Sequence, residues 1–157
     1  KDILPGIKKA LEHDSEVIIE EFIKGREFTN GVYMSKKGLK VLPITEIISK
    51  NEFFDVNAKY YGESREVTPA ELDLKLENKC KEITAKVYKS LNCKGVVRID
   101  YILSGNNFYM LEINTVPGMT SASIIPQQLR AEGLNHKDVF TEIIENAISG
   151  FKNKEIR

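Results

Sequence analysis

Four polar side chains sit on two short apolar runs: Arg98 and Asp100 in GVVRIDYIL, and Glu112 and Asn114 in FYMLEINTV. Strand side chains alternate faces, so Arg98 shares a face with Asp100, and Glu112 with Asn114. Two carboxylates held side by side repel, and one takes up a proton unless a cation lies between them. Asp100, Glu112 and the amide oxygen of Asn114 are hard oxygen ligands, the kind that suits Mg²⁺ (or Mn²⁺) while it keeps waters and bridges phosphates. A divalent ion is the economical explanation. Arg98 would then stabilise negative charge growing on a transferring phosphoryl group or a tetrahedral intermediate. The plainer alternative is a cross-strand salt bridge from Arg98 to Glu112 or Asp100 on a solvated face.

Whether the two pairs meet depends on the turn around Ser104, Gly105, Asn106 and Asn107. A three-residue loop of Gly105 to Asn107 sets Asp100 opposite Glu112 and Arg98 opposite Asn114. A two- or four-residue loop without a bulge separates them. We expect the three-residue loop.

Other stretches hold candidate contacts of lower specificity. In PGMTSAS, residues 117–123, Pro-Gly permits a tight turn with exposed backbone N–H groups. The hydroxyls of Ser121 and Ser123 precede a helix N-terminus, where a carboxylate or phosphate is welcome; a structural turn with an N-cap serine is the alternative. Lys59 and Tyr60 lie in an aperiodic aromatic stretch, 51–66, which suits either a loop that grips phosphate or one pinned to the core by its rings. Glu20, Glu21 and Glu27 flank a strand break and are able to accept from an adenine amino group and a ribose hydroxyl, yet charged strand ends are commonplace. His13 and His136 fall at polar helix ends and read as surface residues.

The elements that would position these groups form an α+β chain, mainly an antiparallel sheet packed with helices. Residues 1–13 predict a short helix and residues 16–22 a buried strand ended by Gly25. Residues 26–35 and 39–48 flank Lys36-Lys37-Gly38 as a hairpin. A helix over 68–91 would start from Thr68, Pro69 and Glu71 as N-cap, first-turn proline and capping-box acid. Its stripe is Leu72, Leu76, Cys80, Ile83, Val87 and Leu91, with Asn92 ending it in a left-handed conformation. Strands over 96–103 and 108–114 follow. A short helix then runs from near Ile125 to Gly133. Asn135 caps a last helix whose apolar face includes Val139, Phe140, Ile143, Ile144 and Ile148.

Composition narrows the function. The chain has 157 residues, enough for one domain with a sizeable core, and 23 basic against 23 acidic residues. That balance argues against nucleic acid or an anionic membrane as partner, and leaves a small molecule or another protein domain. No apolar run reaches the ~18 residues of a membrane span, and no signal peptide opens the chain. Two cysteines are too few for a disulfide framework or a typical zinc site, so both read as free thiols in a reducing, cytoplasmic compartment.

Taken in order and spacing, EEFIKGREF, NAKYYGE, CKGVVRIDY and LEINTVPGMTSASIIP closely resemble the C-terminal part of the D-alanine:D-alanine ligases, ATP-grasp enzymes of peptidoglycan synthesis. The resemblance runs from about Ile18 to Ala147, and implies an ATP-grasp C-terminal subdomain. By that likeness Glu20, Glu21, Phe22 and Ile23 meet the adenine, Glu27 the ribose and Lys59 a phosphate. Tyr60 belongs to the loop that closes over the D-alanines and leans toward dipeptide-forming rather than ester-forming relatives. Asp100, Glu112 and Asn114 match the Mg²⁺ ligands, Arg98 and the Gly118 N–H the oxyanion contacts, and Ser123 with Ile124 the second D-alanine site. Where Glu21 and Phe22 stand, such enzymes often have a lysine and a tryptophan. The likeness further implies ATP and D-alanine as substrates, and allows a homodimer of the full-length enzyme. It also implies an N-terminal domain, absent before Lys1, that holds the first D-alanine; the piece would fold but not turn over alone.

Overall fold

The computed structural model of the chain describes residues 3–49 and 64–152. After a short helix α1 (Leu4–Ala10), the strands β1 (Arg26–Ser35) and β2 (Gly38–Ser49) pair antiparallel as the hairpin expected at Lys36 and Lys37. Then come β3 (Ser64–Val67), α2 (Leu74–Ser90), β4 (Val96–Ser104), β5 (Asn107–Asn114), α3 (Ile124–Ala131) and α4 (His136–Lys152). The strands form one antiparallel sheet in the order β3-β2-β1-β4-β5. Of the aperiodic stretch 51–66, residues 51–63 lie outside the described residues, while Ser64 to Glu66 pair with β2 rather than forming loop.

Alternation along β1 and β4 divides the core in two. Phe28, Val32, Val97, Ile99, Tyr101 and Leu103 pack against α2, around Cys80 and Tyr88. On the other face Tyr33 and Leu42 meet Ile125 and Leu129 of α3 and Val139 of α4. The remainder of that second face, around Thr29 and Asp100, carries the polar side chains.

Four expectations fail, wholly or in part, for local reasons. Residues 16–22 form no strand: Ile18 is 84% and Phe22 64% exposed. β-branched residues make a strand only when a neighbouring strand and a packed face reward it, and no described residue supplies either. The helix expected from Thr68 begins instead at Leu74, capped by Asp73, which accepts from the Leu76 N–H at 2.9 Å. Thr68 is engaged by the Thr45 hydroxyl at 2.7 Å and the Ala70 N–H donates to Ile44 at 2.8 Å, so this segment follows the edge of β2. The stripe on α2 holds from Leu76 to Val87, with Leu72 packing on the same core from just before the helix, but Leu91 is exposed, and the buried Thr84 and Tyr88 make hydrogen bonds with Tyr101 and Gly95 (both 2.9 Å). On α4, Val139 and Ile143 face the core while Phe140, Ile144 and Ile148 stay exposed. Asn92 is left-handed (φ 50°) and Asn135 caps α4 by accepting from the Lys137 N–H at 2.8 Å, both as expected.

Both cysteines are free thiols, Cys80 buried and Cys93 half-buried. Burial pushes the Cys80 thiol up from 9.0 to about 12, only partly offset by a hydrogen bond with Thr84. Since the unfolded thiol ionises first, the stability that Cys80 contributes is complete below pH 9 and is lost between 9 and about 12. Thermal melts are expected to show this alkaline loss, at most about 1.4 kcal/mol per pH unit from this group, with a shallower slope in Cys80→Val. Iodoacetamide at neutral pH should label Cys93 and spare Cys80.

Candidate functional site

The hairpin of β4 and β5 turns through two residues, not three: Ser104 pairs with Asn107, and Gly105 takes the positive φ (58°) that the turn requires. That register alone would put Glu112 opposite Ile99 and send it into the core. An extra residue at Leu111 shifts the ladder between Asp100 and Tyr101. Beyond this bulge Asp100 faces Glu112 and Arg98 faces Asn114. The predicted pairing therefore holds, reached by a two-residue turn plus a bulge.

Arg98 grips Asp100 with two hydrogen bonds, Nε to Oδ1 at 2.9 Å and Nη2 to Oδ2 at 2.8 Å, with Glu112 3.7 Å away. This is the salt bridge of the plainer alternative, and the guanidinium is the cation that lets two carboxylates lie side by side. The Arg98 and Asp100 side chains are 15% and 14% exposed, whereas Glu112 is 63% exposed. Burial weighs against the charge of Arg98, but the hydrogen bonds to Asp100 and the fields of Asp100, Glu112 and Glu66 outweigh it and raise its pKa. Thr29 on β1, opposite Asp100, donates its hydroxyl to Oδ1 at 2.5 Å. The Val116 N–H donates to Asn114 Oδ1 at 3.1 Å, which fixes the amide oxygen.

The donor set is all oxygen: two carboxylates and one amide. Among the described residues no group of three or more His, Cys, Asp or Glu side chains converges. Such a set fits a hard cation that keeps waters, because Glu112 is open and Asp100 Oδ2 and Asn114 Oδ1 each retain a lone pair.

The turn 117–123 leads from β5 to α3. Pro117 is buried, and a Cβ on Gly118 would lie 2.9 Å from Ser123 Oγ, so glycine lets the turn close on that hydroxyl. Ser123 stands at the N-cap of α3 without capping it; its hydroxyl pairs with Thr120 Oγ1 at 2.9 Å. Ile124 opens the helix, half-buried.

Glu27 sits two residues before Thr29 on the same face of β1 as Asp100. Glu20, Glu21, Phe22 and Ile23 lie in the irregular segment entering β1, Ile23 alone being half-buried. Lys59 and Tyr60 lie outside the described residues. One sheet face therefore gathers Glu27, Arg98, Asp100, Glu112 and Asn114, and the following turn adds Gly118 and Ser123. Thr29 was not singled out in the sequence, since only the β1–β4 register places it against Asp100. Nor was Gln128; a glutamine at a core position of the α3 stripe was the available signal.

A model of the family described as D-ala D-ala ligase C-terminus matches residues 1–145. Over 93% of its length the chain is 52% identical to a D-alanine–D-alanine ligase of Phocaeicola vulgatus, and the match covers 45% of that protein. Among solved structures, the D-alanine–D-alanine ligase from Bacillus anthracis complexed with ATP superposes with a TM-score of 0.79 at 34% identity, over 97% of this chain and 49% of that one. The VanG D-Ala:D-Ser ligase from Enterococcus faecalis gives 0.80 at 34% identity, over 92% and 43%. The chain thus spans about half the length of the curated relatives it matches. By the family match and the identity over nearly all of its residues, the chain belongs to the D-ala D-ala ligase C-terminus family.

Proposed function

We propose that the chain is the ATP- and metal-binding part of a cytoplasmic ligase that joins two D-alanines for peptidoglycan synthesis. The observation that carries this reading is the cross-strand set, Asp100 facing Glu112 and Arg98 facing Asn114, beside a turn that presents Gly118 and Ser123. The segment from Glu20 to Ile23 would hold adenine, Glu27 the ribose and Lys59 a phosphate, with Tyr60 over the D-alanines. Asp100, Glu112 and Asn114 would hold Mg²⁺, which when bound neutralises phosphate charge and polarises the phosphoryl oxygens.

In the reaction the carboxylate of the first D-alanine attacks the γ-phosphorus of ATP and ADP leaves, giving an acyl phosphate. The amine of the second, held at Ser123 and Ile124, attacks that carbonyl, and the tetrahedral intermediate expels phosphate to leave the dipeptide. Arg98 keeps N–H donors beyond the two given to Asp100, and these face the charge that develops in both steps. The Gly118 N–H would meet the intermediate's oxyanion. The remainder of the site would come from an N-terminal domain like that of the longer relatives.

Calorimetric titration of ATP with and without Mg²⁺, on wild type and Glu112→Gln in the full-length protein, tests the metal site. Loss of the Mg²⁺-dependent part of the affinity, about tenfold or more, is expected; equal affinities would remove Glu112 from the metal. A second reading, a D-alanine:D-serine ligase, draws on the equal likeness to VanG. Product analysis with D-alanine, D-serine and D-lactate as acceptors separates them.

A further inference from the structure

Gln128 is fully buried on α3, and each polar atom of its side chain is used. Oε1 accepts from the Gly31 N–H at 3.0 Å, while Nε2 donates to the Thr29 carbonyl and to Thr45 Oγ1, both at 3.0 Å. These bonds lie where β1 loses its regular register with β2, between Asn30 and Val32, opposite the stretch containing Pro43. Proline has no N–H for the ladder. The carboxamide takes the carbonyl of Thr29 and the N–H of Gly31, on either side of Asn30, as the N–H and C=O of one residue in a parallel neighbouring strand would. Room for it depends on Gly31, where a Cβ would lie 2.5 Å from both Gln128 Oε1 and Ile125 Cδ1.

The residues that Gln128 holds lead directly to the candidate site. Thr29 donates its hydroxyl to Asp100, and Gly31 pairs with Arg98 across β1 and β4. On its own helix, Gln128 lies just beyond Ser123 and the turn with Gly118. Its neighbour Gln127 adds a second tether, donating to Glu66 on β3 and to the Ala122 carbonyl. Apolar contacts are non-directional; the three hydrogen bonds, being directional, define one seat for α3 on the sheet.

We propose that Gln128 is a positioning residue: it sets the distance between the turn 117–123 and the carboxylates of β4 and β5, and so between the attacking amine and the acyl phosphate. The inference rests on the ligase reading above. Displacement of a reacting group by about 1 Å costs on the order of 10²-fold in rate, which makes this distance worth fixing.

The test is initial-rate kinetics on the full-length enzyme with Gln128→Met, which keeps an unbranched apolar stem and loses the three bonds. The KM for the acceptor D-alanine is expected to rise and kcat to fall, each about tenfold, while the KM for ATP stays within about twofold. A lowered Tm with both KM values unchanged, or equal rises in both, would reduce Gln128 to core packing and overturn the proposal. Thr45→Val removes one of the three partners with little change of shape, along with the bond to Thr68, and should raise the acceptor KM alone by about two- to threefold, whereas Thr68→Val, which loses only the Thr45–Thr68 bond, should leave it unchanged. If Gln128→Met does not fold, an unchanged acceptor KM in Thr45→Val overturns the proposal by itself. A wild-type enzyme that ligates no D-alanine would refute the functional reading, and the inference with it.

Discussion

Replacing Arg98 with Leu is expected to destabilise the protein by about 3 kcal/mol and to slow ligation by the full-length enzyme about 10²–10³-fold. The stability loss comes from what remains. Without the guanidinium, Asp100 keeps the Thr29 hydroxyl as its hydrogen-bond donor and faces Glu112 directly across the strands. Removing one partner of a buried pair costs about 3–5 kcal/mol because the other charge is stranded. The low end applies because Glu112 is largely exposed and is already solvated. Urea melts measure the loss, and the double variant Arg98→Leu/Asp100→Asn identifies its source. Asn still accepts from Thr29 but carries no charge, so the double variant should recover about half of the deficit. A double variant no more stable than the single one would show that the stranded charge is not the cause.

The second large effect is steric. In Gly25→Ala the new Cβ would lie 2.2 Å from the Leu103 carbonyl oxygen and 2.8 Å from its carbon. These are backbone atoms, unable to swing aside as a side chain would. Arg26 and Leu103 are the last pair of the β1–β4 ladder, so relief requires the two strands to part at that end. A loss of about 3 kcal/mol is expected, at the upper end of the usual overpacking penalty because the contact is with main chain. The segment carrying Glu20 to Ile23 enters β1 through this point, and ATP affinity in the full-length protein should fall with stability. Gly6→Ala, which meets nothing within 4 Å in α1, is the control and should be neutral or slightly stabilising. If both variants melt together with wild type, the close approach at Gly25 is not tight in solution.

Much of the site was legible because its residues are close in sequence and strands alternate. A period of two was enough to put Arg98 with Asp100 and Glu112 with Asn114; bringing the two pairs onto one face also took the bulge. The expected three-residue loop is not the one formed; the two-residue turn reaches the same pairing through a bulge, which periodicity alone does not place. In the structure Phe108 and Ile113 both pack on the α2 side, an odd separation that a regular strand cannot keep on one face, but the apolar run Tyr109 to Leu111 between them hides this in the sequence. Residues 16–22 misled because β propensity describes a surface waiting for a partner. Thr68 misled because its hydroxyl had a distant competitor in Thr45. Thr29 and Gln128 could not be assigned at all, since their roles depend on registers between elements about 70 to 100 residues apart.

The extra residue at Leu111 also makes the turn and the bulge joint determinants of one register. In a regular ladder the tip determines which face every later side chain occupies. Here the phase of Glu112 and Asn114 is reset beyond Met110. A three-residue turn without the bulge and a two-residue turn with it set the same pairs, so the facing carboxylates are reached along either route. The tip is held as well, Lys79 Nζ on α2 donating to the Asn106 carbonyl and to Asn107 Oδ1.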